Sequence, residues 1–265
     1  MKTCYNIKYR KSTESEDVSV KIKSIFIILL ITILTICCTS TSFAADDIEA
    51  SSIVSIGNEF ELRDFLEKTD RRYGVHTKFQ VKLTHDIDCT SIRDCYFSSN
   101  NVFNGIFDGC GYTIRNLNGP LFDINNGTII NTKFEKSGDL KFEEVICVCN
   151  NNNGTIMNCI IDNSYIKIQG SLSTRKLGGC LCGTNNKGAA ISNCTIEGKV
   201  SVATKDINIK IAGFCGMNVG NVQSCINKGT FYGRYIGQIT FANSLHATVK
   251  ACMFVGFIYD FCFYH

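Results

Sequence analysis

The chain has 265 residues, 45% of them hydrophobic, with one Pro, 22 Gly and no Trp. That apolar share excludes global disorder, and the Gly- and Asn-rich, Pro-poor composition suits a turn-rich all-β chain. Residues 1–44 hold six of the 27 Lys and Arg and three of the 24 acids, so the rest carries 21 of each sign and no basic field for nucleic acid or an anionic membrane.

Lys21 and Lys23 precede an uncharged apolar run from Ile25 to Cys38, and Ser42-Phe43-Ala44 supplies a small-x-small cleavage site. Residues 1–44 are therefore expected to be a signal peptide. The uncharged stretch continues to Ala45, 21 residues in all, which is long enough to cross a bilayer. A retained signal anchor is the alternative, and then the membrane is met only through this segment. In both cases the lysines stay inside and Asp46-Asp47 go outside, which predicts a secreted or cell-surface domain.

Residues 45–78 read as a lead-in and a capping helix. Asn58 with Glu61 three residues on forms a capping box, and Leu62, Phe65 and Leu66 give the helix an apolar stripe. It is expected to end near Tyr73-Gly74 and to cover the open end of the sheet structure that follows. Phe79 to Leu83 alternates as a strand, and Asp86 and Asp88 are expected to cap a turn rather than hold calcium.

Residues 79–265 carry a repeat. Asn126-Gly-Thr-Ile-Ile-Asn-Thr132 is followed by Asn153-Gly-Thr-Ile-Met-Asn-Cys159, Ala190-Ile-Ser-Asn-Cys194, Asn221-Val-Gln-Ser-Cys225 and Thr248-Val-Lys-Ala-Cys252. The apolar residues Ile129, Ile156, Ile191, Val222 and Val249 stand 27, 35, 31 and 27 residues apart. Upstream run an asparagine column (Asn125, Asn152, Asn185, Asn218) and a column of Phe122, Cys149, Cys182 and Cys215. Short strands repeated at this period predict a stack of coils, a parallel β-helix. The asparagines are expected to form an amide ladder. Gln169 to Lys176 is expected to bulge as a loop where the spacing widens to 35.

Phe103-x-Gly-x-Phe107-Asp108-Gly109-x-Gly111-x-x-Ile114-x-Asn116-Leu117 resembles the opening rung of pectin-lyase-like β-helices on microbial surface proteins. Gly178-Gly179-Cys180-Leu181-Cys182-Gly183-Thr184-Asn185 and Ala212-Gly213-Phe214-Cys215-Gly216-Met217-Asn218 resemble the GLUG motif of that group, over residues 79–252. The resemblance implies an all-β, single-stranded right-handed parallel β-helix of about six to seven coils, with an adhesin-like role. This chain departs from the family in placing cysteine where valine or leucine is usual. Gly109 and Gly111 are expected to serve positive φ or close backbone approach.

Thirteen cysteines follow Ala44. Export predicts disulfides, whereas the repeat columns 149/182/215 and 159/194/225/252 predict reduced, core-filling thiols; the column reading is preferred, with some vertical pairs able to close. Cys147-x-Cys149 and Cys180-x-Cys182 have the wrong spacing for a zinc knuckle, and His76, His85, His246 and His265 share no ligand spacing. The repeat acids, Asp123, Glu135, Asp139, Glu143, Glu144, Asp162, Glu197, Asp206 and Asp260, are read as failing to stack at one position, and Glu143-Glu144 as facing opposite ways. No catalytic residue, metal or cofactor is expected. Asn126, Asn153 and Asn193 match the glycosylation sequon. The aromatics after Cys252 predict an exposed edge and self-association. The chain is thus read as an adhesin-like module for carbohydrate or a cell surface. A polysaccharide lyase or glycoside hydrolase of the same fold, or a degenerate relative, is the alternative.

Overall fold

The computed structural model describes residues 53–69, 79–92, 101–140, 146–168, 176–202, 209–232 and 236–259. Residues 1–52, with the expected targeting segment, lie outside them, as do Glu143-Glu144, Asp206, Asp260, Cys95, Cys262, His76, His265 and residues 169–175 of the expected bulge.

The strands stack in parallel as a β-helix. Each coil runs from sheet B through sheet A to sheet C: Phe122–Asn125, Thr128–Ile130 and Lys133–Leu140 make one coil. Cys149–Asn152, Thr155–Met157 and Ile160–Ile168 make the next. Pairing is in register, with Cys149 beside both Phe122 and Cys182, and Ile156 beside both Ile129 and Ile191. Sheet A has eight strands. Seven follow the helix and the eighth, Ile53–Ile56, comes from the lead-in and pairs with Gln80–Leu83.

Two boundaries differ from expectation. Helix α1 spans Glu59–Lys68 and closes at Thr69, whose hydroxyl donates to the Leu66 carbonyl at 2.8 Å. Lys176 is the first residue of a strand rather than part of a loop: Lys176–Gly179, Ile209–Ala212 and Ile236–Gly237 form a small additional sheet, D. The later coils thus have a fourth side, including the coil from Val222 to Val249, whose spacing of 27 is no wider than that from Ile129 to Ile156.

The α1 start has the local chemistry of a capping box. Asn58 Oδ1 accepts from the Phe60 and Glu61 amides at 3.1 and 3.0 Å. Glu61 reaches back to the Gly57 amide at 2.7 Å. Leu62, Phe65 and Leu66 are buried. Phe65 meets Phe79, Phe103, Phe107 and Phe122 with ring centroids 5.6–6.5 Å apart. Phe103 and Phe122 stack at 4.6 Å. The first coils are thus filled by rings and closed by the helix.

Later coils are filled mainly by aliphatics and thiols, with single rings at Phe134, Phe214 and Phe231, and every inward Ile and Val of sheet A from Ile129 to Val222 is fully buried. The turn from sheet A to sheet C is a fixed corner. Asn131, Asn158, Asn193, Ser224 and Ala251 take φ between 50 and 54°. Asparagine tolerates that region through local hydrogen bonding, whereas alanine does not. In the opening rung the two glycines have different reasons to be there. A Cβ at Gly109 would strike Thr132 and the Asn131 carbonyl, while Gly111 sits at φ +84° in open space.

Candidate functional site

The repeated polar residues form rows along the axis. Asn125, Asn152, Asn185 and Asn218 are fully buried, and each Nδ2 donates to the next Oδ1, at 2.8, 2.8, 2.9 and, to Asn243, 3.2 Å. The second amide hydrogen is directed at a strand carbonyl, as in Asn185 to Asn221 O at 3.1 Å. Phe103 takes the register position before Asn125, where the row begins. One residue along, an exposed row runs the other way: Asn186 donates to Asn153, Asn153 to Asn126, and Asn126 to Asn104, at 2.7–2.9 Å. A third, corner row links Asn158 to Asn131 and Asn131 to Asp108. Two sequon asparagines, Asn126 and Asn153, are thus members of a ladder, and Asn193 is an exposed corner residue.

The cysteines fill inner rows as free thiols. Cys149, Cys182 and Cys215 lie in register behind Phe122 and are fully buried, as are Cys147 and Cys180. Cys147 and Cys180 are linked through the Cys147 amide and the Cys180 carbonyl at 3.0 Å. Cys159, Cys194 and Cys225 follow the corner residues and are also fully buried, with Cys252 partly exposed. Burial pushes the Cys147 and Cys182 thiols up from the ordinary value. Burial likewise raises Cys89, to about 12. Neutral thiols in apolar surroundings are poor nucleophiles and poor metal ligands.

The acids do stack, which corrects the reading above. Register places Arg115 beside Asp88 and Glu135, Glu135 beside Asp162, and Asp162 beside Glu197, all on the outer side of sheet C. Lys228 continues the column, its Nζ 3.1 Å from Glu197 Oε1. Glu135, Asp162, Glu197 and Lys228 each stand six residues after the sheet A Ile or Val. Counting that offset through the corner finds the column from sequence alone.

Glu135, Asp162 and Glu197 of the column each have a cation. Arg115 bridges Asp86 and Glu135 at 3.0 and 3.1 Å, and Lys133 meets Asp162 at 2.8 Å. Asp162's hydrogen bond raises the Lys133 pKa, and bonds to Asp86 and Glu135 raise that of Arg115. Asp86 is held below the usual aspartate value first by the Thr113 amide, Asp88 first by Asn116 and then by Thr90. These two oxygen sets are spent on turn and strand partners, and among the described residues no three His, Cys, Asp or Glu side chains are grouped to hold a metal.

Sequence reading also missed Lys136. It follows Phe134 by two, so alternation turns it inward, and it is 2% exposed. Its Nζ donates to the Gly119 and Ile146 carbonyls, both at 3.1 Å. The ammonium ties together the two chain segments that flank the coil, a structural role for a charge that burial alone would not tolerate.

No family model matches the sequence, and no curated protein matches it either. A crystal structure titled "putative immunoglobulin A1 protease" from Bacteroides ovatus is similar at 14% identity, covering 78% of this chain and 84% of that one, with a TM-score of 0.42.

Proposed function

We propose that the protein is an exported, adhesin-like β-helix that binds carbohydrate or a cell surface through its outer faces and performs no catalysis. The observation that carries this reading is the charged column on sheet C. It spans consecutive coils from Asp88 to Lys228, is partly exposed, and holds Arg115, Glu135, Asp162, Glu197 and Lys228 in ion pairs. Fixed carboxylates at a repeat of about 4.8 Å, with the Arg115 guanidinium among them, offer hydrogen bonds to a chain of hydroxyls laid along the axis. The resemblance to pectin-lyase-like GLUG proteins and the leader before Asp46 support the surface location. Hydrolysis by a carboxylic acid requires a pKa held up. Asp86 and Asp88 are held down instead, and Arg115 and Lys133 are kept protonated. A glycan array probed with residues 45–265 and with Arg115→Ala is the test. Binding that Arg115→Ala removes supports the reading; no binding to glycans or to intact cells overturns it.

The polysaccharide-acting reading keeps one specific observation in its favour. Glu135, Asp162 and Glu197 lie one per coil, at a spacing near the roughly 5 Å that separates the carboxyls of retaining glycosidases. Reducing-end release from a polysaccharide panel, abolished by Asp162→Asn, decides for the enzyme.

A further inference from the structure

The corner thiols differ from the other buried cysteines in how they are aimed and reached. Cys159, Cys194, Cys225 and Cys252 each follow a residue with positive φ. Each Sγ lies near the carbonyl two residues back, Met157 at 3.4, Ser192 at 3.3, Gln223 at 3.2 and Lys250 at 3.3 Å. That shared geometry turns the four sulfurs the same way into the stack. Register fixes the last pair from both sides, with Gln223 beside Lys250 before it and Ile226 beside Met253 after it. The Met253 amide donates to the Cys225 carbonyl at 2.9 Å. Cα atoms of neighbouring parallel strands lie about 4.8 Å apart, inside the range a disulfide accepts. Access is graded along the column. Cys159, Cys194 and Cys225 are fully buried, while Cys252 is partly exposed.

We propose that Cys225 and Cys252 are a redox-active pair at the solvent-facing end of this column, oxidised to an intramolecular disulfide by a low-molecular-weight disulfide. The Cys252 thiol loses its proton to water and its thiolate attacks one sulfur of the small disulfide. That S–S bond breaks, one small thiolate leaves and takes up a proton, and Cys252 carries a mixed disulfide. The Cys225 thiol then loses its proton and attacks Cys252 Sγ, expelling the second small thiol. Two protein thiols are oxidised and one small disulfide is reduced to two thiols. Cys225 suits the second step because hydrogen bonds, from Cys194 first and also from Cys252, hold its thiol below the ordinary value against the opposing effect of burial. Cys194, hydrogen-bonded to Cys159 and Cys225 and buried, is pushed well up and stays a thiol. Among the described residues, the pair is therefore where the inner rows meet an external oxidant.

The test uses the full chain, reduced, in mild detergent, and exposed under native conditions to glutathione disulfide. Remaining thiols are alkylated after unfolding and the peptides mapped by mass spectrometry. The expected result is loss of the free thiols of Cys225 and Cys252 together, as one linked peptide pair, with Cys159 and Cys194 still alkylated. Cys110, exposed at the other end of the stack, is expected to stop at the glutathione adduct and so reports access alone. Cys225→Ser is expected to arrest Cys252 as its glutathione adduct, and Cys252→Ser to leave Cys225 reduced. Linkage of Cys252 to any other cysteine, Cys262 included, overturns the proposal. So does a Cys252 that stays reduced while Cys110 reacts, or a Cys225 that oxidises equally fast in Cys252→Ser. Should a variant fail to fold, timed alkylation of the native wild-type chain decides: Cys252 must be lost before Cys225, and the reverse order overturns the pair.

Discussion

The two ends of the stack are built from similar residues put to opposite uses. At one end Phe65 of α1 sits among Phe79, Phe103, Phe107 and Phe122, and the rings are out of water. At the other, Met253, Val255 and Phe257 are 55, 54 and 62% exposed. The strands pair equally well in both places, as Ile53–Ile56 with Gln80–Leu83 and Thr230–Tyr232 with Phe257–Tyr259. Among the described residues, what differs is a covering element. Strand pairing satisfies the backbone, but a packed layer on the last coil is what turns aromatic surface into stability.

Removing the cover is expected to cost most. Phe65→Ala should lower unfolding free energy by about 3–5 kcal/mol, measured by denaturant titration of residues 45–265, and a loss below half of that would mean α1 is not part of the core. Between the ends, Asn185→Ala leaves Asn152 Nδ2 and Asn218 Oδ1 without row partners. A loss of about 1–3 kcal/mol is expected, and a neutral result would mean the row is decorative.

Alkaline pH should separate the ends next. Cys89, beside α1, is raised to about 12, so its contribution is whole below the ordinary thiol value near 9 and is lost as pH rises from there towards 12. Over that window it costs roughly 1.4 kcal/mol per pH unit. Cys89→Val should flatten the slope of stability between pH 8.5 and 10; an unchanged slope places the titrating groups elsewhere. At the other end, Phe257→Ser should change stability by less than about 0.5 kcal/mol while reducing self-association in sedimentation. Equal, monomeric behaviour of both chains would remove the case for an adhesive edge. The smallest effect is a gain. Ala251 holds φ 50° where three of the other four corners use asparagine, and Ala251→Asn should add about 0.5 kcal/mol, read as a small rise in melting temperature.

Much of this was legible in the sequence because the repeat is local. Asn152 and Asn185 sit at matching offsets from their strands, and in-register stacking turns equal offsets into contact. The corner was half legible: Asn131, Asn158 and Asn193 advertise a left-handed residue, but Ser224 and Ala251 do not, since only the neighbouring coils impose that conformation on them. The acid column was readable and missed, because Glu135, Asp162 and Glu197 keep one offset that has to be counted across the corner. Lys136 was hidden for a different reason. Its inward position follows from alternation, but the carbonyls of Gly119 and Ile146 that make burial tolerable come from remote segments. Sheet D likewise depends on pairing of Lys176 with Ile209 and of Ile211 with Ile236, which no constant sequence offset marks.

The amide rows have an electrical consequence. In the buried row every side-chain dipole points from Asn125 towards Asn243, and four aligned links would polarise one another and leave partial charge at each end, as an α-helix does. The exposed row of three links and the corner row of two point the opposite way. The opposing rows largely cancel, so the side-chain amides leave little net dipole along the stack. Adding or removing a coil would then change its length without changing the field at its tips, and repeat number is free to vary on electrostatic grounds.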